Sequence, residues 1–511
     1  MMHAHLLYPD RDLDLKRALP PQAEALTQDL GLKILFSAMA LRKDFLFEVC
    51  QKVVLASEED PRVILYRQGI LQDCLEHPAV IRKLFLLAEE TLEMKRKTWF
   101  YVSIKYSSPS SLIYNSVGLL EVYMDSLRKL RAIADEHAGV FRSEGFQALF
   151  ALLKRELDNS FFARVHDHLQ ELKFRNGVLF SAELGEGNAG THYTLRKTHD
   201  EKFSWWRRIF TKKSSDLTLH IHPRDEGGHR ALGELNNQGL NLAAGILAQS
   251  CDHIRNFFTV LRTELAFYIG CMNLHEQLTG KGRPLCFPQP QAGSDHHRSC
   301  AGLYDACLAL LLDGRIVGND IHANEKDLVV ITGANQGGKS TLLRGIGVAQ
   351  LMMQCGMFVA AESFRFSLCQ GLFTHFRREE DATMKSGKLD EELGRMSVIV
   401  DELQPGSMVL FNESFAATNE REGSEIARQI TRGLREKNIM VFFVTHLVDF
   451  ARSFLAENAE KTLFLRAERR DDGTRTFKLI EGEPLATSFG KDVYDSVFGV
   501  TNGDSEDCHG Q

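Results

Sequence analysis

The residues best suited to chemistry in this 511-residue chain are Thr332-Gly333-Ala334-Asn335-Gln336-Gly337-Gly338-Lys339-Ser340-Thr341. Gly333, Gly338, Lys339 and Ser340 stand at the G-x-x-x-x-G-K-S spacing of a phosphate loop. Glycines let successive backbone N–H groups turn inward around a phosphate with no Cβ in the way. Lys339 would reach the β and γ phosphates of ATP, and Ser340 would offer Mg²⁺ one hydroxyl oxygen. A helix starting near Lys339 would aim its positive dipole end at the same point. Loop residues Gly333 to Thr341 are therefore the expected nucleotide-binding set.

A phosphate loop needs a second strand that delivers an acid. Ser407-Met408-Val409-Leu410-Phe411-Asn412-Glu413 is apolar and then ends in a polar pair, at the end of a strand where open α/β sheets bind ligands. Glu413 is expected to orient and activate the attacking water. Asn412 stands where an Asp usually helps hold the Mg²⁺ shell. Its amide oxygen can still accept a hydrogen bond but brings no charge, so slow turnover is expected. A third strand, Ile439 to Thr445, ends in His446, placed to sense the γ-phosphate.

These residues need elements to hold them. Leu328-Val329-Val330-Ile331 is apolar on both alternations, as in a strand of a parallel sheet covered on both faces. Leu342 to Met353 repeats apolar residues at helical spacing. Upstream, Leu119 to Asp135 and Leu240 to Leu278 are periodic and free of proline, which predicts long helices, the second of them either one helix or two in line. The expected organisation is a mainly helical region over 1–283 with an insertion near 195–230, then an α/β phosphate-loop domain over 284–500, then a disordered tail over 501–511. Pro284, Pro288 and Pro290 mark the start of the second region as a linker.

Bulk composition narrows the class. With 44% hydrophobic and 25% charged residues the chain is ordinary globular material, long enough for about two to four domains. The net charge of −7 argues against nucleic-acid binding over the whole surface and leaves room for a local basic groove. The ten cysteines show no metal-ligand spacing and read as buried thiols of a reducing compartment. Adjacent His296 and His297 lack a third ligand and read as surface loop. No secretory signal or membrane-length apolar run is visible, so a cytoplasmic protein is expected. The segment from Lys202 to Lys213 interleaves Trp205 and Trp206 with Arg207 and Arg208. That pattern suits DNA contact, a membrane interface or partner, or a packed surface hairpin.

The order of these motifs resembles the MutS DNA mismatch-repair ATPases. Thr332 to Thr341 resembles their T-G-P-N-M-G-G-K-S-T signature. Asn319-Asp320-Ile321 is similar to the asparagine-bearing segment before it. Phe411-Asn412-Glu413 falls at the D-E position, Thr445-His446 at T-H, and Ser488-Phe489-Gly490 near S-Y-G. Asp60-Pro61-Arg62 to Pro78 and the long helices resemble the family's helical core more loosely. The resemblance implies an ABC-type ATPase that binds double-stranded DNA, mismatched or branched. It also implies composite ATP sites across a homodimer, with other repair or recombination proteins as partners. Ser386 is either the N-cap of a helix over Lys388 to Leu403 or, as the resemblance implies, the group that caps a γ-phosphate on the other subunit. Departures are clear. Asn412 replaces the acid, the glycine-threonine loop after it reads Ser414 to Gly423, and the aromatic wedge of an F-x-E motif has no separate equivalent. The alternative is an ABC-type regulatory or assembly ATPase acting on protein partners and not on DNA.

Overall fold

The computed structural model describes residues 2–99, 108–175, 177–188, 190–196, 220–292, 295–378, 387–457, 459–470 and 474–484. The chain divides into two compact units, Met1–Leu6 with Ala79–Leu265, and Leu7–Pro78 with Ala266–Gln511. The composition boundary at 283 thus differs from the packing boundary. Asn273 Nδ2 donates to Met39 O at 2.9 Å, and helix Leu32–Ala40 packs on helix Ala306–Leu311. These contacts draw the N-terminal helices into the unit that holds the phosphate loop.

Among its described residues the first unit is helical apart from one hairpin. Helix Pro109–His137 starts at Ser108, whose hydroxyl accepts the Ser111 N–H, with Pro109 in the first turn, where its missing N–H costs nothing. Ile113, Val117, Leu120, Met124 and Leu127 recur every three or four residues and are all buried. Helix Glu144–Glu156 packs against this helix and buries Phe146, Leu149, Phe150 and Leu153. Phe141 sits edge-on to Phe150 with ring centres 5.2 Å apart. Strands β1 (Leu179–Leu184) and β2 (Gly190–Arg196) form a mostly exposed antiparallel hairpin. The periodic stretch from Leu240 to Leu278 is one uninterrupted helix, Glu226–Gly280, of 55 residues. Trp205, Trp206, Arg207 and Arg208 lie outside the described residues, as do Ser386, Ser488 to Gly490 and the 501–511 tail. Among the described residues no helix is long and apolar enough to cross a membrane.

The described residues of the second unit hold two sheets. The smaller consists of β3 (Gln289–Gln291), β4 (Arg298–Leu303), β5 (Asn319–His322) and β7 (Ser363–Ser367) in the order β3-β7-β4-β5. The proline-rich segment expected as a linker supplies β3. That strand pairs with β7 alone, and an edge strand tolerates Pro290 because the ladder asks no N–H of its outer side. Strand β4 begins at Arg298, directly after His296 and His297.

The larger sheet adds β6 (Leu328–Thr332), β8 (Leu372–Phe376), β9 (Met408–Asn412), β10 (Met440–Val444), β11 (Thr462–Arg469) and β12 (Arg475–Glu481). Its order is β12-β11-β6-β10-β9-β8, parallel except for the antiparallel β11–β12 hairpin at one edge. Alternation explains its two apolar faces. Leu328, Val330, Val409, Phe411, Val441 and Phe443 point to one side, where helices Glu420–Glu436 and Val448–Glu457 supply Ala427, Leu434, Phe450 and Phe454. Phe411 and Phe443 stack with centres 4.7 Å apart. Helix Lys339–Gln354 covers the opposite face. A Cβ on Gly347 would come within 2.8 Å of Leu410, so glycine permits that close approach. Each buried Phe or Leu contributes about 2 kcal/mol through area removed from water.

The far end of this helix is tied down by a buried amide. Gln354 Nε2 lies 2.9 Å from Ser57 Oγ, 3.0 Å from Glu58 O and 2.9 Å from Cys369 O. Its Oε1 accepts from Gln350 Nε2 at 2.7 Å and from Cys369 N at 3.2 Å. Replacing Gln354 with Ala leaves those buried groups unpaired and is expected to cost about 3 kcal/mol, read from urea unfolding. A loss below about 1 kcal/mol would show that water replaces the amide there.

Candidate nucleotide site

Three parallel strand ends converge. Ile331 of β6 and Asn412 of β9 are both in register with Val444 of β10, so the residues that follow each strand emerge at one level. Glu413 N donates to Val444 O at 2.9 Å and Thr445 N to Ile331 O at 3.1 Å, which carries the ladder one step past the strands.

The loop after β6 turns through Gly333 (φ 111°), Gln336 (φ 58°) and Gly338 (φ 88°). A Cβ at Gly333 would meet Ala467 N at 2.8 Å, so the loop rests directly on β11. Lys339 is buried and its Nζ donates to Gly333 O and Ala334 O, each at 3.0 Å. Burial pushes the Lys339 ammonium below its ordinary value, Glu413 opposes that shift, and Arg475 adds to it. Ser340 Oγ donates to Asn412 Oδ1 at 2.8 Å. Beyond β9, Glu413 takes up φ 56° and its Oε1 lies 3.1 Å from His446 Nε2. The loop, Asn412, Glu413 and His446 thus form one constellation, joined by the Ser340–Asn412 and Glu413–His446 contacts.

A cavity of about 370 Å³ opens on this constellation. Asn335 to Thr341, with Asp305, Asn319 and Glu413, form its polar part. Leu308, Leu312, Ile316, Val317 and Phe477 form its apolar wall. Sequence reasoning missed this wall, and for a physical reason: no short-range pattern marks residues that meet only when β12 folds back over the loop. Asn319 makes that junction. Its Oδ1 accepts from Leu479 N at 2.7 Å and its Nδ2 donates to Phe477 O at 3.3 Å. Asp305 was missed as well. It caps helix Ala306–Leu311 through Cys307 N and Leu308 N and pairs with Arg344 Nε at 3.0 Å, fixing the wall to the phosphate-loop helix.

The donor set suits a nucleoside triphosphate. Inward-turned backbone, a buried ammonium and a helix N-terminus favour phosphate. The Ser340 hydroxyl and the Asn412 amide oxygen are hard oxygen donors of the kind Mg²⁺ accepts. Helix Lys388–Glu402 follows Gly387, and Ser386, offered as its N-cap or as a γ-phosphate cap, lies outside the described residues.

His375, on β8, also went unnoticed in the sequence. It is fully buried, and desolvation, reinforced by Arg395 and Arg378, pushes its pKa down to about 4. The unfolded chain would protonate it near pH 6.5, the folded chain only near 4. Its contribution is therefore complete above 6.5 and drains as pH falls towards 4. Between pH 7 and 5 the wild-type chain is expected to lose about 2 kcal/mol more stability than His375→Gln, measured by urea unfolding. Equal losses would show that His375 is not held neutral.

Comparison with known proteins matches the two parts of the chain separately. Residues 59–281 match the family model described as MutS2 N-terminal domain, and residues 329–499 match MutS domain V. A DNA mismatch repair protein MutS of Thermus thermophilus is 29% identical over 177 residues, 35% of this chain and 22% of that protein. Endonuclease MutS2 of Streptococcus agalactiae serotype Ia is 29% identical over 342 residues, 65% of this chain and 42% of that protein. Endonuclease MutS2 of Lacticaseibacillus paracasei is 27% identical over 291 residues, 54% and 35% of the two chains. The match spans less than half the length of each of these relatives.

Proposed function

Since the chain belongs to the MutS family, we propose that it is an ATP-dependent DNA-binding protein of the mismatch-repair type. It hydrolyses ATP at composite sites formed by two copies and uses binding and hydrolysis to switch a DNA clamp. Its domains on this reading are the 1–283 helical core and lever and the 284–500 ABC-type ATPase. The observation that carries the nucleotide part is the Ser340–Asn412 contact, which joins the phosphate loop to the acid-bearing strand end.

On this reading the loop N–H groups and Lys339 hold the phosphates, and the apolar wall with Phe477 takes the base. Glu413 orients water, and His446, 3.1 Å from Glu413, fixes that carboxylate. Mg²⁺ bound at Ser340 and Asn412 would neutralise phosphate charge. Asn412 contributes an oxygen without a charge, so it holds the ion weakly and turnover is slow. Lys339→Ala is expected to lose ATP affinity at least ~100-fold, and Asn412→Asp to lower the Mg²⁺ concentration needed for half-maximal hydrolysis. ATP binding unchanged by Lys339→Ala refutes the nucleotide reading, and an identical Mg²⁺ dependence refutes the role of Asn412.

A second reading, a regulatory or assembly ATPase that acts on protein partners, is favoured by the net charge of −7. Gel shifts with mismatched and branched duplexes, with and without ATP, separate the two. The DNA reading expects ATP-dependent retention that weakens steeply with salt, and expects replacement of Trp205, Trp206, Arg207 and Arg208 to flatten the salt slope. No retention of any duplex would favour the protein-partner reading.

A further inference from the structure

The acid at position 413 sits in a strained conformation. Glu413 (φ 56°) and Phe415 (φ 62°) are both left-handed, and neither is glycine. Such residues each cost free energy and persist only where surrounding contacts over-determine them. Ser414 lies between them, fully buried.

His375 supplies those contacts. Its Nε2 lies 3.0 Å from Glu392 O in helix Lys388–Glu402. A carbonyl only accepts, so Nε2 carries the ring proton, and Nδ1 is left as an acceptor. Ser414 Oγ lies 2.7 Å from that Nδ1 and 2.5 Å from His375 O, so one hydroxyl proton is shared between two acceptors on the same residue. The imidazole also stacks on Phe415, with centres 5.2 Å apart and planes 18° from parallel. From the opposite side Phe415 O is pressed against helix Glu420–Glu436 at Gly423, where a Cβ would come within 2.4 Å. The ring therefore grips both residues that follow the acid.

We propose that His375 is a positioning residue for ATP hydrolysis: anchored on Glu392 O, it holds Ser414 and Phe415 and thereby fixes Glu413 in the left-handed turn that aims its carboxylate. The proposal rests on the reading of Glu413 as the group that orients water. It makes His375 act through Glu413, without contact with the nucleotide. A ring held neutral at physiological pH suits this task, because a protonated Nδ1 could not accept from Ser414.

The test uses the full chain with Mg-ATP and compares Glu413→Gln, Ser414→Ala, His375→Leu and His375→Asn. Turnover, nucleotide affinity and melting temperature are read for each. Ser414→Ala and His375→Leu are expected to lower kcat ~10-fold or more, with nucleotide Kd within about twofold of wild type. His375→Asn, whose amide oxygen can stand in for Nδ1, is expected to regain most of that loss. If Glu413→Gln is inactive but Ser414→Ala and His375→Leu keep kcat within about twofold of wild type, the inference is overturned while the reading of the acid stands. Loss of nucleotide affinity in parallel with kcat also overturns it, since a merely structural ring would damage both. Full turnover by Glu413→Gln overturns the reading of the acid itself. If His375→Leu does not fold, Ser414→Ala decides alone, because it removes a single hydroxyl.

Discussion

Register between three parallel strands is the constraint on which the rest of the site depends. Ile331, Val444 and Asn412 lie side by side across β6, β10 and β9, and the ladder runs one residue beyond them. The phosphate loop, the Asn412-Glu413 pair and His446 are far apart in the chain. They meet because in-register strands end at the same height. A slip of one residue in β9 would turn Asn412 to the other face and carry it away from Ser340. Leu328, Val330, Phe411 and Phe443 all face the helices on one side of the sheet in this register.

On that frame the site carries few charges. Lys339 is buried with its ammonium on backbone carbonyls, and Glu413 is the acid that favours its charged form. Where an aspartate is the usual companion of the loop hydroxyl, this chain has the Asn412 amide. Geometry is kept and one negative charge is removed. On the proposed function the loop would keep its attraction for phosphate, while the hold on a divalent cation would rest on neutral oxygens.

The turn after β9 shows how conformational cost is carried. Glu413 and Phe415 adopt conformations that glycine would take freely, and the free energy comes from packing in the core of the sheet. Phe415 is buried among Phe411, Leu447 and the helix at Gly423, so the same side chain that strains the backbone also fills the core. The loop here thus does by packing what a glycine-rich loop does by freedom.

Much of this was legible in local sequence. The G-x-x-x-x-G-K-S spacing, the apolar runs of β6, β9 and β10, and the periodicity behind helix Glu226–Gly280 are properties of contiguous residues, and short-range sterics and burial decide them. What only the tertiary structure decided are contacts made by residues distant in the chain. Asn319 meets Leu479, Asp305 meets Arg344, His375 meets Ser414, and Asn273 draws the helix of Met39 into the second unit. None of these pairs carries a periodic signal, because each residue obeys the pattern of its own strand or helix. Their meeting follows from sheet order and loop closure, which composition and spacing do not encode.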